Sequence, residues 1–152
     1  MQVLRLLALF AALGLGSAEP VHAGSTRILK VLPHLLDEQG RHSPAPSLYE
    51  RDARQADLRR NPDLVFGLRF DIQYRATGYY FGPLRLRLEV RGSKDPKIAR
   101  FEQTVRPRKL FSRWTRITLD RDAQLRLGDV VAWQATLWDG DRLVAEHRSF
   151  LW

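Results

Sequence analysis

Two runs of strictly alternating residues constrain this chain more than anything else in it. Phe66, Leu68, Phe70, Ile72 and Tyr74 alternate with Gly67, Arg69, Asp71, Gln73 and Arg75. Leu84, Leu86, Leu88 and Val90 alternate in the same way with Arg85, Arg87, Glu89 and Arg91. Successive strand side chains project to opposite faces, so each run presents one apolar and one polar face. The pattern predicts two half-buried β-strands, each with one side on a core and the other in water.

Ahead of these strands the chain reads as a leader. Arg5 precedes an apolar stretch from Leu6 to Gly16, and a small-residue segment ends in Val21-His22-Ala23. A charged start, an apolar stretch too brief to span a bilayer and a small residue at the cut describe a secretory signal. Residues 1–23 are therefore expected to be a signal peptide, cleaved after Ala23 or, as the second choice, after Ala18. Residues 24–152 are the size of one domain. Nothing after the leader is long and apolar enough to be a transmembrane segment. The chain has no cysteine, which removes both a disulfide scaffold and a lipid anchor on an amino-terminal cysteine. The expected localisation is export, periplasmic or secreted, with stability supplied by packing.

The formal charge of +8 belongs wholly to the mature part, because Arg5 and Glu19 cancel within the leader. Arginine dominates the excess, and its planar fork suits phosphate and carboxylate partners better than an ammonium does. The charge has two readings: solubility, or an anionic partner such as a phosphorylated envelope polymer, an acidic glycan or nucleic acid.

Ile28 to Leu36 reads as a first strand, and Pro33 within it demands an edge position or a break. The stretch 39–46 is a loop by composition. A helix is predicted over about 48–60, between the first two strands. Ser47 and Glu50 are spaced as a capping box, Tyr49, Ala53 and Ala56 form one stripe, and Asn61-Pro62 is the stop. So narrow a stripe suits a cover over the sandwich better than a core element. After the two organising strands, elements are expected at about 98–105 and 114–119, with Arg106-Pro107-Arg108-Lys109 breaking the chain between them. A corner follows over 120–129. In the final hairpin, inward-facing Val131, Trp133, Ala135 and Leu137 would match Leu143 to Leu137 and Ala145 to Ala135 across a turn centred on Gly140. A two-residue Asp139-Gly140 turn is the less favoured register, since it sets Glu146 beside Trp133.

Seven strands with turn signals between them predict an all-β, seven-stranded antiparallel sandwich, with the helix inserted between the first two strands. The two organising strands would face each other across the core, one in each sheet. The corner Leu125-x-Leu127-Gly128-Asp129 before Val131-x-Trp133-x-Ala135 resembles the corner and next-to-last strand of immunoglobulin and fibronectin type III domains. The paired cysteines of immunoglobulin domains are missing, and the tryptophan sits in a later strand. With residues 46–52 and the ending Ser149-Phe150-Leu151-Trp152, the mature chain also resembles short exported bacterial proteins of unassigned function. That likeness implies an immunoglobulin-like sandwich and no particular chemistry.

Signals for catalysis are sparse. There is no cysteine nucleophile and no Gly-x-Ser-x-Gly elbow, so no catalytic residue is assigned. His147 reads as a half-buried structural histidine. His34, Asp37, Glu38 and His42 are of ligand type, but their spacing fits no known motif, so no metal or cofactor is assigned. Two segments stand out for binding. Arg106, Arg108, Lys109 and Arg113 interleave with Phe111 and Trp114, a pattern able to hold phosphates by charge while an aromatic stacks on a base or sugar. The same stretch also reads as a solvated loop with Trp114 in the core. Tyr79, Tyr80 and Phe81 cannot all turn inward from one strand, so at least one is expected at the surface. Arg69, Arg75, Arg85, Arg87 and Arg91 are interleaved with acids and split between two sheets, which favours a solvated surface over a site. The predicted function is an exported, non-enzymatic binding or protein-interaction module of unknown partner. The alternative is an electrostatic binder of an anionic envelope polymer, acidic glycan or nucleic acid through 106–114.

Overall fold

The computed structural model describes residues 26–77, 79–80 and 82–152, the side chains of 108–110 excepted. The expected leader, 1–23, and Phe81 lie outside the described residues. The elements are β1 (Arg27–Leu36), α1 (Leu48–Arg60), β2 (Gly67–Ala76), β3 (Leu84–Gly92), β4 (Ala99–Val105), β5 (Arg108–Asp120), α2 (Arg121–Leu127), β6 (Val130–Asp139) and β7 (Arg142–Arg148). They form two antiparallel sheets, one ordered β1-β2-β5 and the other β4-β3-β6-β7. The two organising strands, β2 and β3, do fall in different sheets. Their apolar faces meet: Phe70, Ile72, Leu84, Leu86, Leu88 and Val90 are fully buried and belong to one core shared by both sheets.

β1 is an edge strand, as Pro33 requires, with Pro33 opposite Phe70. Its outer edge is covered at one end by α1. Gln55 is buried, and its side chain accepts from Leu35 N at 2.8 Å and donates to Leu35 O at 2.9 Å. One amide thus satisfies the donor and acceptor that a further strand would have paired at Leu35, which covers that end of the edge. The same Nε2 donates to His42 O at 2.9 Å and so fixes the loop that enters the helix.

Four details of the sequence reading are corrected. The buried stripe of α1 is Gln55 and Leu58, whereas Tyr49 and Ala53 are exposed. The helix needs one polar anchor at the sheet edge more than a row of small apolar groups. Ser47 makes no side-chain cap bond, so the expected capping box does not form. β5 begins at Arg108 instead of after a basic break. Only Arg106 and Pro107 separate it from β4, and a register shift between Tyr74 and Ala76 lets it run on beside β2. In the last hairpin Asp139 pairs with Arg142 around Gly140-Asp141, and a shift between Leu137 and Trp138 sets Leu137 opposite Ala145 and Ala135 opposite His147. Gly140 has φ 58°, the positive value wanted at the first position of such a two-residue turn. A second shift beside Gly92 leaves Val131 exposed, while Ala132, opposite Arg91, is buried outside the shared core.

The corner over 120–129 is helical. Asp120 caps α2 by accepting from Ala123 N at 2.8 Å, and Gly128 ends it at φ 73°. A Cβ on Gly92 would lie 1.9 Å from Leu127 O, so only glycine lets β3 pass beneath this corner. Among the described residues no helix is long and apolar enough to cross a membrane.

Candidate functional site

The outer face of the three-stranded sheet carries the most concentrated chemistry in the molecule. β2 sends Arg69, Asp71 and Gln73 to this face, and its neighbours add residues at matching levels. His34 of β1 stands opposite Arg69, Leu32 opposite Asp71, Arg116 of β5 opposite Asp71 and Trp114 opposite Gln73. The loop after β1 brings His42 over the sheet, and the first turn of α1 adds Arg51. Together these walls enclose a cleft of about 320 Å³.

The floor of the cleft is a polar chain. Arg69 Nη2 donates to Asp71 Oδ2 at 2.9 Å and bonds His42 Nδ1 at 2.9 Å. Guanidinium has no acceptor, so Nδ1 of His42 must accept, which places that ring's proton on Nε2 and keeps it neutral. The His34 and His42 rings lie 4.7 Å apart, tilted by 40°. The His34 side chain is only 10 % exposed, and its Nε2 stands 3.6 Å from Asp71 Oδ2, an ion-pair distance beyond a hydrogen bond. Arg69 Nε is buried with no partner among the described residues.

Both imidazoles are held below their ordinary pKa. For His34 the first cause is burial, followed by His42, with Arg69 and Arg51 adding to the effect and Asp71 opposing it. For His42 it is burial, then Arg69, again against Asp71. At neutral pH the cleft therefore sets three guanidiniums, Arg51, Arg69 and Arg116, against the single carboxylate of Asp71. Arg51 is shared with Asp52 at 2.9 Å, but Asp52 is largely in solvent and screens weakly.

The sequence-derived candidates separate in space. Arg113 and Trp114 are adjacent in a strand and project to opposite faces. Arg106 and Phe111 are exposed near the end of the sandwich, and the backbone of Arg108 and Lys109 lies in β5. Trp114, half exposed, is the member of that set that lines the cleft. Tyr79 is 79 % exposed, while Tyr80 packs against the core and its hydroxyl pairs with Thr26. His34 and His42 do come together, but Asp37 turns away from them. Its carboxylate accepts from Gln39 N and Arg41 N at 3.0 and 2.9 Å and closes its own loop. Those bonds outweigh its burial and hold its pKa low. Among the described residues no group of three or more ligand-type side chains is placed to hold a metal.

Arg51, Arg69, Asp71 and Arg116 were not legible as a site. The usable signal was Trp114-x-Arg116 lying beside Asp71-x-Gln73, two short alternations that share a face once β2 and β5 pair. A second cavity, about 230 Å³, is lined by Pro33, Gln55, Arg59 and Asp129 among others, but its charges oppose one another and Gln55 is already satisfied. No protein-family model matches the chain, and no curated protein matches it significantly.

Proposed function

We propose that this chain is an exported, non-enzymatic β-sandwich binding module that takes an anionic ligand on the outer face of its three-stranded sheet. The observation that carries the reading is the convergence of Arg51, Arg69 and Arg116 from α1, β2 and β5 on one cleft beside Trp114. Low-dielectric walls lined by one sign of charge focus the field and favour an anion. A cavity of this size suits a small ligand or one unit of a polymer. The leader-like residues before Gly24 support export.

The fold assignment can be sharpened in the same spirit. The fourth strand pairs with β3 instead of joining the sheet of β1, β2 and β5. That arrangement favours a fibronectin type III-like variant of the immunoglobulin-like sandwich over the constant-domain type, in which the fourth strand lies with the first, second and fifth.

The test is binding to an acidic polysaccharide, polyphosphate and nucleic acid across a salt series. Wild type is compared with Arg51→Ser/Arg116→Ser and with Arg106→Ser/Arg108→Ser/Lys109→Ser. A shallower salt slope in the first variant alone assigns the anion to the cleft. A shallower slope in the second alone returns it to 106–114. No binding by wild type at low salt overturns both and turns attention to a protein partner.

A further inference from the structure

The cleft holds enough detail to name its ligand chemistry, an inference that rests on the anion-binding reading above. We infer that the site takes a phosphomonoester whose remaining bulk lies on Trp114. A planar carboxylate offers its lone pairs in a single plane, so it meets donors that arrive from outside that plane poorly. Here the guanidiniums come from three directions: Arg69 from the floor, Arg51 from the helix side and Arg116 from β5. A tetrahedral group with three terminal oxygens can accept from all of them.

The buried polar groups favour the same geometry. Arg69 Nη2 is occupied by Asp71 and His42, but Nε is buried and unpartnered, a donor with its capacity unused. His34 is nine-tenths buried and makes no hydrogen bond among the described residues, although Asp71 stands 3.6 Å from it. A buried donor left unmade is costly, so an acceptor oxygen delivered to Arg69 Nε would be favoured, with the His34 ring lining the same cleft. A phosphomonoester is suited to His34 in particular. With its second pKa near about 6, it can present either an O–H to the neutral ring or an acceptor oxygen to the protonated one. Asp71 would oppose the anion on its own. Bound to Arg69 at 2.9 Å, it serves to orient the guanidinium.

Trp114 sets what lies beyond the phosphate. It sits two residues from Arg116 on the same face of β5, a separation of about 6.7 Å along a strand. A ring bonded to a phosphoryl oxygen reaches that far, so the ester group can stack on the indole while the phosphate meets Arg116.

The experiment is calorimetric titration at neutral pH with phenyl phosphate, inorganic phosphate and benzoate. The protein is compared with Arg116→Ser, Trp114→Ala and, on the other sheet, Arg87→Ser. Phenyl phosphate is expected to bind tighter than benzoate by about tenfold or more, and Arg116→Ser to weaken both phosphates by about tenfold. Trp114→Ala should bring phenyl phosphate down to the level of inorganic phosphate, and Arg87→Ser should change none of them. Benzoate binding as tightly as phenyl phosphate, with both weakened by Arg116→Ser, would overturn the phosphate assignment and leave the anion site standing. Equal affinity for the two phosphates in wild type would overturn the role of Trp114. Failure of all three probes to bind would overturn the inference together with the reading beneath it.

Discussion

The two outer faces of this sandwich begin from the same sequence pattern and end as different surfaces. On the four-stranded sheet the charges neutralise one another across strands. Arg87 Nε donates to Glu102 at 2.6 Å, and Arg100 Nη2 donates to Glu89 at 2.7 Å. Aromatic rings add to this: Arg87 also lies 5.2 Å from the Trp138 ring centroid and Arg91 lies 4.7 Å from that of Trp152, while Arg85 donates to Gly140 O at 3.2 Å. On the three-stranded sheet, Arg69 and Asp71 pair within one strand, Arg116 has no ion-pair partner among the described residues, and His34 and His42 are sunk beside them. On the reading proposed above, an arginine-rich face serves as a site where its charges converge on a cleft. That property is invisible until register is known.

The largest expected effects come from the core that both faces share. Phe70→Ala removes a fully buried ring from the three-stranded side and should destabilise by about 3–5 kcal/mol in chemical denaturation. Leu86→Ala, equally buried on the other side, should cost about 2–5 kcal/mol. A loss under about 0.5 kcal/mol at either position would mean that the two sheets do not share one core.

The next effect separates the sheets. Gln55→Leu leaves Leu35 N, Leu35 O and His42 O without their side-chain partner, and should cost about 1–3 kcal/mol. Amide exchange should quicken in β1 and in the loop carrying His42, and stay unchanged in β6 and β7. Equal quickening in both sheets would show that Gln55 is not a local clamp on that edge.

A smaller, pH-dependent effect belongs to the three-stranded face alone. The His34 pKa is lowered in the folded chain from 6.5, by burial first and then by His42. As pH falls below that value the unfolded chain binds the proton before the folded one, so stability held at neutral pH declines toward the lowered pKa. His34→Gln should flatten this slope between neutral and mildly acidic pH. An unchanged slope in the variant would place the proton uptake elsewhere.

The smallest effect is on the four-stranded face. Arg100→Ser breaks a pair whose arginine is 58 % exposed, and should alter stability by only about 0–1 kcal/mol. It should leave anion binding untouched. A larger loss there would mean that this face is more than a solvated, self-paired surface.

Much of the architecture was legible in the sequence because alternation reports burial directly. Phe70 and Leu86 could be assigned to buried faces from period, and to opposing sheets from the sandwich arrangement that seven strands imply, while the missing N–H of Pro33 called for an edge or a break. Register was less accessible. One-residue shifts beside Gly92 and between Leu137 and Trp138 left Val131 exposed and moved the hairpin partners, and no composition signal marks them. α1 was predicted from a capping box that does not form, a stripe that stays exposed at Tyr49 and Ala53, and the Asn61-Pro62 stop, but its anchor is the polar Gln55, which a search for apolar stripes passes over. The cleft was hardest to see. Its members come from β1, the following loop, α1, β2 and β5, positions 32 to 116 in the chain, and only sheet pairing sets Asp71 and Gln73 beside Arg116 and Trp114. The basic-aromatic segment was noticed for its local density, yet strand geometry sends its adjacent residues to opposite faces.

Whether one face of this sandwich is a site and the other is not can be read most directly by two-dimensional amide and imidazole NMR during titration with inorganic phosphate. Shifts are expected in β2 and β5 around Asp71 and Arg116, in the loop at His42 and on the His34 ring, with β3, β4 and β7 unmoved. Shifts of similar size around Arg87 and Arg100, or a silent His34 ring while other residues respond, would contradict the assignment of the anion to the three-stranded face.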